Sequence, residues 1–263
     1  ENCKYCAQSA CFGGISKTYP LLPTETFVEG AKRNAKQGVL RYSIVTSGKR
    51  LSHSEVESVC QSIQAIKKET EIEVCVSLGL LGEEDFVKLK KAGASRIHNN
   101  LEASKGYFPK VCTTHTYEDK IEAIKAAKRA GLSVCSGGIM GIGETMEDRV
   151  DMAFALRELE IRSVPVNMLN PIPGTPLGHQ KILSEDEMCR ILAIYRFILP
   201  DASIRMAGGR GLLPDKGERC FRSGANAAIS GDMLTTSGIT VEKDMEMLGR
   251  LGYIPKLWEA NVV

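Results

Sequence analysis

The chain lacks several features that define whole classes of protein. No apolar run approaches the ~18 residues of a membrane-spanning helix, and the first residues are polar, unlike a secretory signal. No block of one charge stands out: 34 Lys+Arg against 32 Asp+Glu leave a formal net charge of +2. Without an arginine-rich stretch, or basic segments interleaved with aromatics, a nucleic-acid partner is not expected. No Pro- or Ser-rich linker or low-complexity run marks a domain boundary. A second C-x-x-C and an H-x-x-x-H, either of which could complete a structural zinc site, are also missing. An initiator methionine is absent and a motif is under way at Glu1, so the expectation is a chain that has lost upstream residues. Together these absences point to a cytoplasmic globular protein.

What is present begins with thiols. Nine cysteines, an odd number spread from Cys3 to Cys220, do not resemble the dense disulfide framework of a small secreted domain. Reduced thiols or metal thiolates are expected instead. At 263 residues the chain can bury roughly three quarters of its extended surface, enough for one large domain.

Short β-branched segments alternate with longer amphipathic ones. The strand candidates are 39–47, 72–79, 95–102, 132–141, 164–172, 202–209 and 226–234, recurring at about the length of one βα unit. Helix starts are marked by Ser52 with Glu55, Thr116 with Asp119, Thr145 with Asp148 and Ser184 with Glu187, each a capping-box pattern. Gly38, Gly93 and Gly131 stand where helices should end. The expected fold is an α/β, (β/α)8 TIM-type barrel whose first strand is missing from this chain. It forms a single domain over 1–263: an N-terminal loop (1–23), βα units (24–234), and a C-terminal helix and tail (235–263). The segment 170–179, NPIPGTPLGH, reads as one long functional loop.

Strand alternation sends the apolar set toward the helices. The other face then carries Arg41, Ser43, Cys75, Ser77, His98, Asn100, Glu102, Cys135, Asn167 and Arg205. A purely structural barrel fills its interior with branched aliphatics, so this many polar and thiol groups point to a ligand cavity. Each alone has a bland reading: a buried cysteine is a small core residue, a buried arginine closes an ion pair, and His98 is as readily a satisfied core histidine as a functional one.

The opening stretch ENCKYCAQSACFGG holds a C-x-x-C at Cys3 and Cys6. Four readings are open: a redox dithiol, half of a zinc site, part of an iron–sulfur site, or chance spacing. With Tyr5 between the thiols and a helix following, the stretch resembles the last part of the C-x-x-x-C-x-x-C signature of radical S-adenosylmethionine (SAM) enzymes. The first cysteine of that signature would lie two residues before Glu1.

Four further segments, in order, resemble the biotin synthase family: IHNNLEAS (97–104), VCSGGIMGIGET (134–145), VPVNMLNPIPGTPL (164–177) and SIRMAGGR (203–210). The resemblance runs from residue 1 to about 253 and implies sulfur insertion converting dethiobiotin to biotin. It implies that Cys3 and Cys6 bind a SAM-cleaving 4Fe-4S cluster, while Tyr5, Asn100, Glu102, Lys120, Gly141 and Gly143 contact or position SAM. It implies that Asn100 and Asn167 hold the ureido ring of dethiobiotin. Cys75, Cys135 and Arg205 would hold a second, sulfur-donating cluster, 2Fe-2S by family. A flavodoxin-like electron donor, iron–sulfur assembly machinery and a homodimer are its implied partners.

Three positions depart from the family pattern. Ser43 stands where the second cluster usually has a cysteine; its hydroxyl is harder and far less acidic than a thiol, so it is expected to be a weak or absent ligand. A different second cluster is therefore expected, with Cys11 the candidate for the missing thiolate. Lys120 replaces an arginine and loses its bidentate fork, and Glu102 replaces an aspartate on a longer arm. Cys60 and Cys189 are expected as helix core residues, Cys112 and Cys220 as thiols without ligand partners, and His53, His115 and His179 at the surface or in loops. The competing functions are a hydrogenase-maturation or methylornithine-forming enzyme of the same branch, and a non-catalytic iron–sulfur or zinc-binding protein.

Overall fold

Parallel strands buried on both faces need a helix after each one, and the alternation of the sequence delivers that arrangement. The computed structural model describes residues 1–12, 19–231 and 238–257. Its strands are β1 (Arg41–Val45), β2 (Glu73–Ser77), β3 (Ala94–His98), β4 (Ser133–Cys135), β5 (Gly138–Met140), β6 (Ser163–Met168), β7 (Ser203–Met206) and β8 (Ala227–Ala228). They form one sheet in the order β1-β2-β3-β4-β6-β7-β8, with β5 beside β6, and every pairing is parallel. Because β4 and β5 both pair with β6, they are two halves of one stave interrupted at Ser136 and Gly137.

The result is a partial (β/α)8-type barrel of seven staves, one for each expected strand segment. Among the described residues β1 and β8 are its unpaired edges. Strands end sooner than their β-branched runs because the chain leaves the sheet to build loops. The third stave stops at His98, and residues 99–102 curl away until Glu102 bridges Gly138. The last stave keeps two residues of the expected 226–234, and positions 232–234 lie outside the described residues, as does the tail after 257.

The helices α1 (Thr24–Lys36), α2 (His53–Glu69), α3 (Glu83–Ala92), α4 (Phe108–Val111), α5 (Tyr117–Arg129), α6 (Met146–Glu158), α7 (Glu185–Ile198), α8 (Glu218–Arg222) and α9 (Val241–Arg250) flank the sheet. Outward strand residues Ile44, Val74, Val76, Ile97, Val134, Val164, Val166 and Ile204 share one core with helix residues such as Ile63, Leu89, Ile124, Leu156 and Ile191. Each such side chain contributes about 1.5–3 kcal/mol when fully buried, so this layer dominates stability. The polar set is thereby left for the inside.

All four expected capping boxes form, on α2, α5, α6 and α7. Gly38, Gly93 and Gly131 adopt left-handed φ of 81°, 111° and 77° at helix ends. The C-terminal helix α9 is fastened by a buried ion pair, Arg210 Nη2 to Asp244 Oδ2 at 2.6 Å.

Hydrogen bonds hold the cap carboxyls below the usual carboxylate range: Asp119 through the Thr116 backbone, Asp148 through the Ser104 hydroxyl, and Glu187 through the Ser184 backbone. A depressed folded-state pKa gives stability that is present above the unfolded value and lost as pH falls through the folded one. The melting temperature is therefore expected to stay level from neutrality to about pH 5 and to drop steadily below it. Asp148→Asn should flatten part of that acid limb in a calorimetric pH series; an unchanged limb would remove Asp148 from the explanation.

Candidate functional site

The deepest polar group sits at mid-strand height. Strand register places Ser43 beside Cys75, Cys75 beside Arg96, His98 beside Cys135, Cys135 beside Ser163, and Pro165 beside Arg205. Register neighbours in a parallel sheet project to the same side, so these residues converge on the interior. Ser163 Oγ accepts from Arg96 Nη1 at 3.2 Å and from Arg205 Nε at 2.8 Å. Both of its lone pairs are then used, which leaves its own proton to donate toward Cys135.

The electrostatics of the two thiols differ. Burial and the neighbouring Cys135 push Cys75 up to about 11. Burial also acts to raise Cys135, yet the adjacent His98, the Arg205 charge and the Ser163 hydroxyl outweigh it and bring Cys135 down to about 6. Burial and the charges of Arg41 and Arg205 lower Arg96 to about 10, and burial lowers Arg41 as well. Three guanidiniums thus surround two thiols, and Arg41 Nε is buried without an acceptor among the described residues. A bare cation would worsen this excess of positive charge, whereas an anionic sulfide-bearing group would relieve it and accept from the orphaned donor. The residues present fit an iron–sulfur cluster held by Cys75, Cys135 and Arg205. Ser43 Oγ also reaches Cys75, although Ser43 itself is exposed on the edge strand.

Arg96 and Ser163 were not singled out from the sequence, and Arg41 was placed inward without a role. Alternation in SRIHNN puts Arg96 on the same face as His98 and Asn100, so that part was readable. Its meeting with Cys75 depends on a register shift between Val74 and Cys75, which was not.

Above this group, at the C-terminal ends of the strands, lie the remaining expected residues. Asn100 Oδ1 accepts from Gly137 N at 3.1 Å, and Asn100 Nδ2 donates to Glu102 Oε2 at 3.3 Å. Glu102 has a left-handed φ of 69°, kept by backbone bonds from Glu102 N to Gly137 O and from Ile139 N to Glu102 O. That conformation costs a non-glycine residue of order 1–3 kcal/mol, a strain typical of ligand clamps. Asn167 bridges two neighbours, its Nδ2 donating to Gly138 O at 3.1 Å and its Oδ1 accepting from Gly208 N at 2.9 Å. Lys120 Nζ donates to Asn99 Oδ1 at 3.3 Å, while Asn99 Nδ2 is buried without a partner among the described residues.

The glycine loop is shaped by its own surroundings. Gly141 and Gly143 have φ of 91° and 102°, and Gly141 N donates to Glu144 Oε1, which also accepts from Arg149 Nε at 2.6 Å. A Cβ on Gly143 would meet the Tyr107 hydroxyl at 2.6 Å, and that hydroxyl closes the loop by donating to Ile142 O.

The N-terminal loop lies over this rim. Tyr5 packs with Ala103, Val111, Ile142 and Leu169, Lys4 N donates to Val111 O at 3.0 Å, and Cys6 N turns back to Cys3 O at 3.1 Å. Cys3 and Cys6 are half-buried and Cys11 is exposed. Burial raises both Cys3, to about 12, and Cys6. Both lie near Tyr5 and Glu102, two thiols close to the rim that suit thiolate ligation of a cluster.

One expectation is corrected: Cys112 is not a partnerless thiol. His115 lies in a loop, as one of its two expected placements had it, but it is buried there, and with Cys3 and Cys112 its ligating atom falls in a group whose members lie within 4.8 Å of one another. The contact closes across more than a hundred residues of sequence. The C-x-x-H spacing of Cys112 and His115 was its one readable trace. Cys60 and Cys189 do lie in helices, and Cys220, in the short helix α8, has the Cys189 thiol as a neighbour.

Comparison with known proteins places this geometry. Residues 1–156 match the model of the radical SAM superfamily, and residues 165–254 match the Biotin and Thiamin Synthesis associated domain. The fold and the thiol-lined rim are those of a radical SAM enzyme. Among the relatives, biotin synthase of Brachyspira hyodysenteriae is 60% identical over 259 residues, covering 98% of this chain and 78% of that protein. Biotin synthases of Clostridium botulinum (54%; 96% of this chain, 80% of that protein) and Akkermansia muciniphila (55%; 96% and 79%) follow. The chain belongs to the biotin synthase family. Solved structures of methylornithine synthase and of the FeFe-hydrogenase maturase of Carboxydothermus hydrogenoformans superpose with TM-scores of 0.82 and 0.81. They cover 97% and 98% of this chain, and this chain covers 79% and 65% of theirs; at 18% identity the likeness is one of fold alone. No described helix is long and apolar enough to cross a membrane.

The gap between β4 and β5 tests how the rim is set. A Cβ on Gly137 would sit 1.9 Å from Pro165 O, so the stave approaches β6 closely only because this residue has no side chain. Gly137→Ala should cost about 1–3 kcal/mol, read as a lower urea midpoint at unchanged slope. An unshifted midpoint would show that the approach is not constrained there.

Proposed function

We propose that the chain converts dethiobiotin to biotin by radical SAM sulfur insertion, with one iron–sulfur group held by rim residues and a second by residues inside the barrel. The observation that carries this reading is the convergence of Cys75, Cys135 and Arg205, inside a collar of further positive charge, beneath a rim that bears Cys3 and Cys6. When bound, the rim cluster supplies the electron that splits SAM for hydrogen abstraction at an unactivated carbon, and the deeper cluster supplies sulfur.

The chain's own residues then have separable tasks. Cys3 and Cys6 hold the rim cluster, and Tyr5 packs the loop down over it. Asn100, Glu102, Lys120, Gly141 and Gly143 position SAM, the strained Glu102 offering its carboxylate to the ribose hydroxyls. Asn100 and Asn167 keep spare amide capacity after their backbone bonds and orient the ureido ring of dethiobiotin. The barrel wall keeps water from the reacting carbon. Cys75, Cys135 and Arg205 hold the sulfur-donating group. Ser43 is a weak ligand or none, Cys11 supplies the further thiolate, and the second cluster differs from an ordinary 2Fe-2S type. A flavodoxin-like donor, iron–sulfur assembly machinery and a homodimer complete the reading.

Anaerobic reconstitution of full-length protein, with iron and sulfide counting and an assay for biotin from dethiobiotin, tests it. Cys135→Ala should lose the second cluster's iron and all biotin formation while SAM cleavage persists; full retention of that iron would contradict the assignment. Mössbauer spectra should show a second cluster altered by Cys11→Ala. An ordinary 2Fe-2S signal indifferent to that change would count against the role of Cys11.

A further inference from the structure

Cys112 and His115 take no part in the reading above, yet the fold prepares them as ligands. Cys112 closes helix α4 with an extended backbone, and its N donates to Phe108 O at 3.1 Å. Asn2 Oδ1 then accepts from Thr113 N at 3.0 Å and from Thr114 N at 3.3 Å, pinning the following turn to the N-terminal loop. His115 is buried with its ring edge-on to Phe108 at 5.5 Å. The ligating atoms of Cys3, Cys112 and His115 lie within 4.8 Å of one another, and Cys112 Sγ is 3.4 Å from His115 Nδ1. In a tetrahedral site with Zn–S of about 2.3 Å and Zn–N of about 2.0 Å, sulfur and nitrogen stand about 3.5 Å apart, so the Cys112 and His115 pair is already at ligand spacing. Glu1 Oε2, 2.6 Å from the same Nδ1, offers a fourth donor.

A bland reading makes Cys112 a small core residue that hydrogen-bonds a neighbour. It does not account for two thiols and an imidazole sharing one corner, half-buried at Cys3 and buried at Cys112 and His115, a donor set suited to a thiophilic, borderline-soft divalent ion. We propose that Cys3, Cys112 and His115 form a mononuclear site for such an ion, zinc foremost, filled when the rim cluster is absent. Binding displaces the two thiol protons and changes no oxidation state. The Cys3 thiolate cannot face both this corner and the rim cluster, so zinc and cluster exclude one another. The exclusion rests on the reading of Cys3 as a cluster ligand; the metal site stands on the three side chains alone.

The probe is Co2+ added anaerobically to cluster-free, full-length protein. One equivalent should give thiolate-to-cobalt charge-transfer bands and the visible bands of a tetrahedral ion, displaced by one equivalent of Zn2+. Both sets should vanish in Cys112→Ala, in the size-matched Cys112→Ser and in His115→Ala, and persist in Cys6→Ala. Bands that survive loss of Cys112, bands that need Cys6, or no tetrahedral spectrum at all would overturn the site. Zinc-preloaded wild type should take up severalfold less cluster iron than metal-free protein, and Cys112→Ser should reconstitute equally with and without zinc. A cluster yield indifferent to zinc in the wild type would overturn the exclusion. The cobalt spectrum decides the site whether or not the rim cluster forms, so failure of the cluster reading is distinguishable from failure of this one.

Discussion

Positive charge held inside a parallel barrel is the constraint on which the rest depends. Arg96 is buried and Arg41 and Arg205 are half-buried; the three charges act on one another, Arg41 and Arg96 act with both Cys75 and Cys135, and Arg205 acts on Cys135. Guanidiniums do not deprotonate to escape such a position. They need hydrogen-bond acceptors and negative charge, and the protein itself supplies only part: the Ser163 hydroxyl, a Cys135 thiolate favoured by His98, and Glu73 acting on Arg41. An anionic group lodged between the guanidiniums would meet the remaining demand.

Rigidity is distributed to serve this arrangement. Outward valines and isoleucines, packed against capped helices, fix the staves. The broken stave, with Gly137 and Gly138 in place of side-chain-bearing residues, brings its backbone within reach of Asn100, Glu102 and Asn167. The asparagines are held in one orientation by backbone groups of the neighbouring stave and loop. The glycine loop is kept in shape from beneath by the buried Glu144–Arg149 pair. The N-terminal loop is the less committed part, since Cys3 has two competing sets of neighbours.

The sequence made much of the scaffold legible because its signals are local. Period-two alternation identified all seven staves and the inward Cys75, Cys135 and Arg205, and side-chain spacing identified four capping boxes. Strand ends were less legible, because a β-branched residue such as Ile172 continues a run after the chain has left the sheet for its loop. What could not be read is long-range. The pairing of Cys75 with Arg96 follows from a register shift, the double acceptance by Ser163 from its place between two arginines, and the Cys3, Cys112 and His115 corner from a loop folding back onto a distant turn.

The central claim is that thiols and guanidinium from neighbouring staves share iron within the barrel. Anomalous diffraction at the iron edge, from crystals of anaerobically reconstituted full-length protein, tests it most directly. The account predicts two separate iron peaks, one against Cys3 and Cys6 at the rim and one between Cys75, Cys135 and Arg205. A single peak at the rim, with the inner thiols and arginines packed against protein atoms alone, would contradict it.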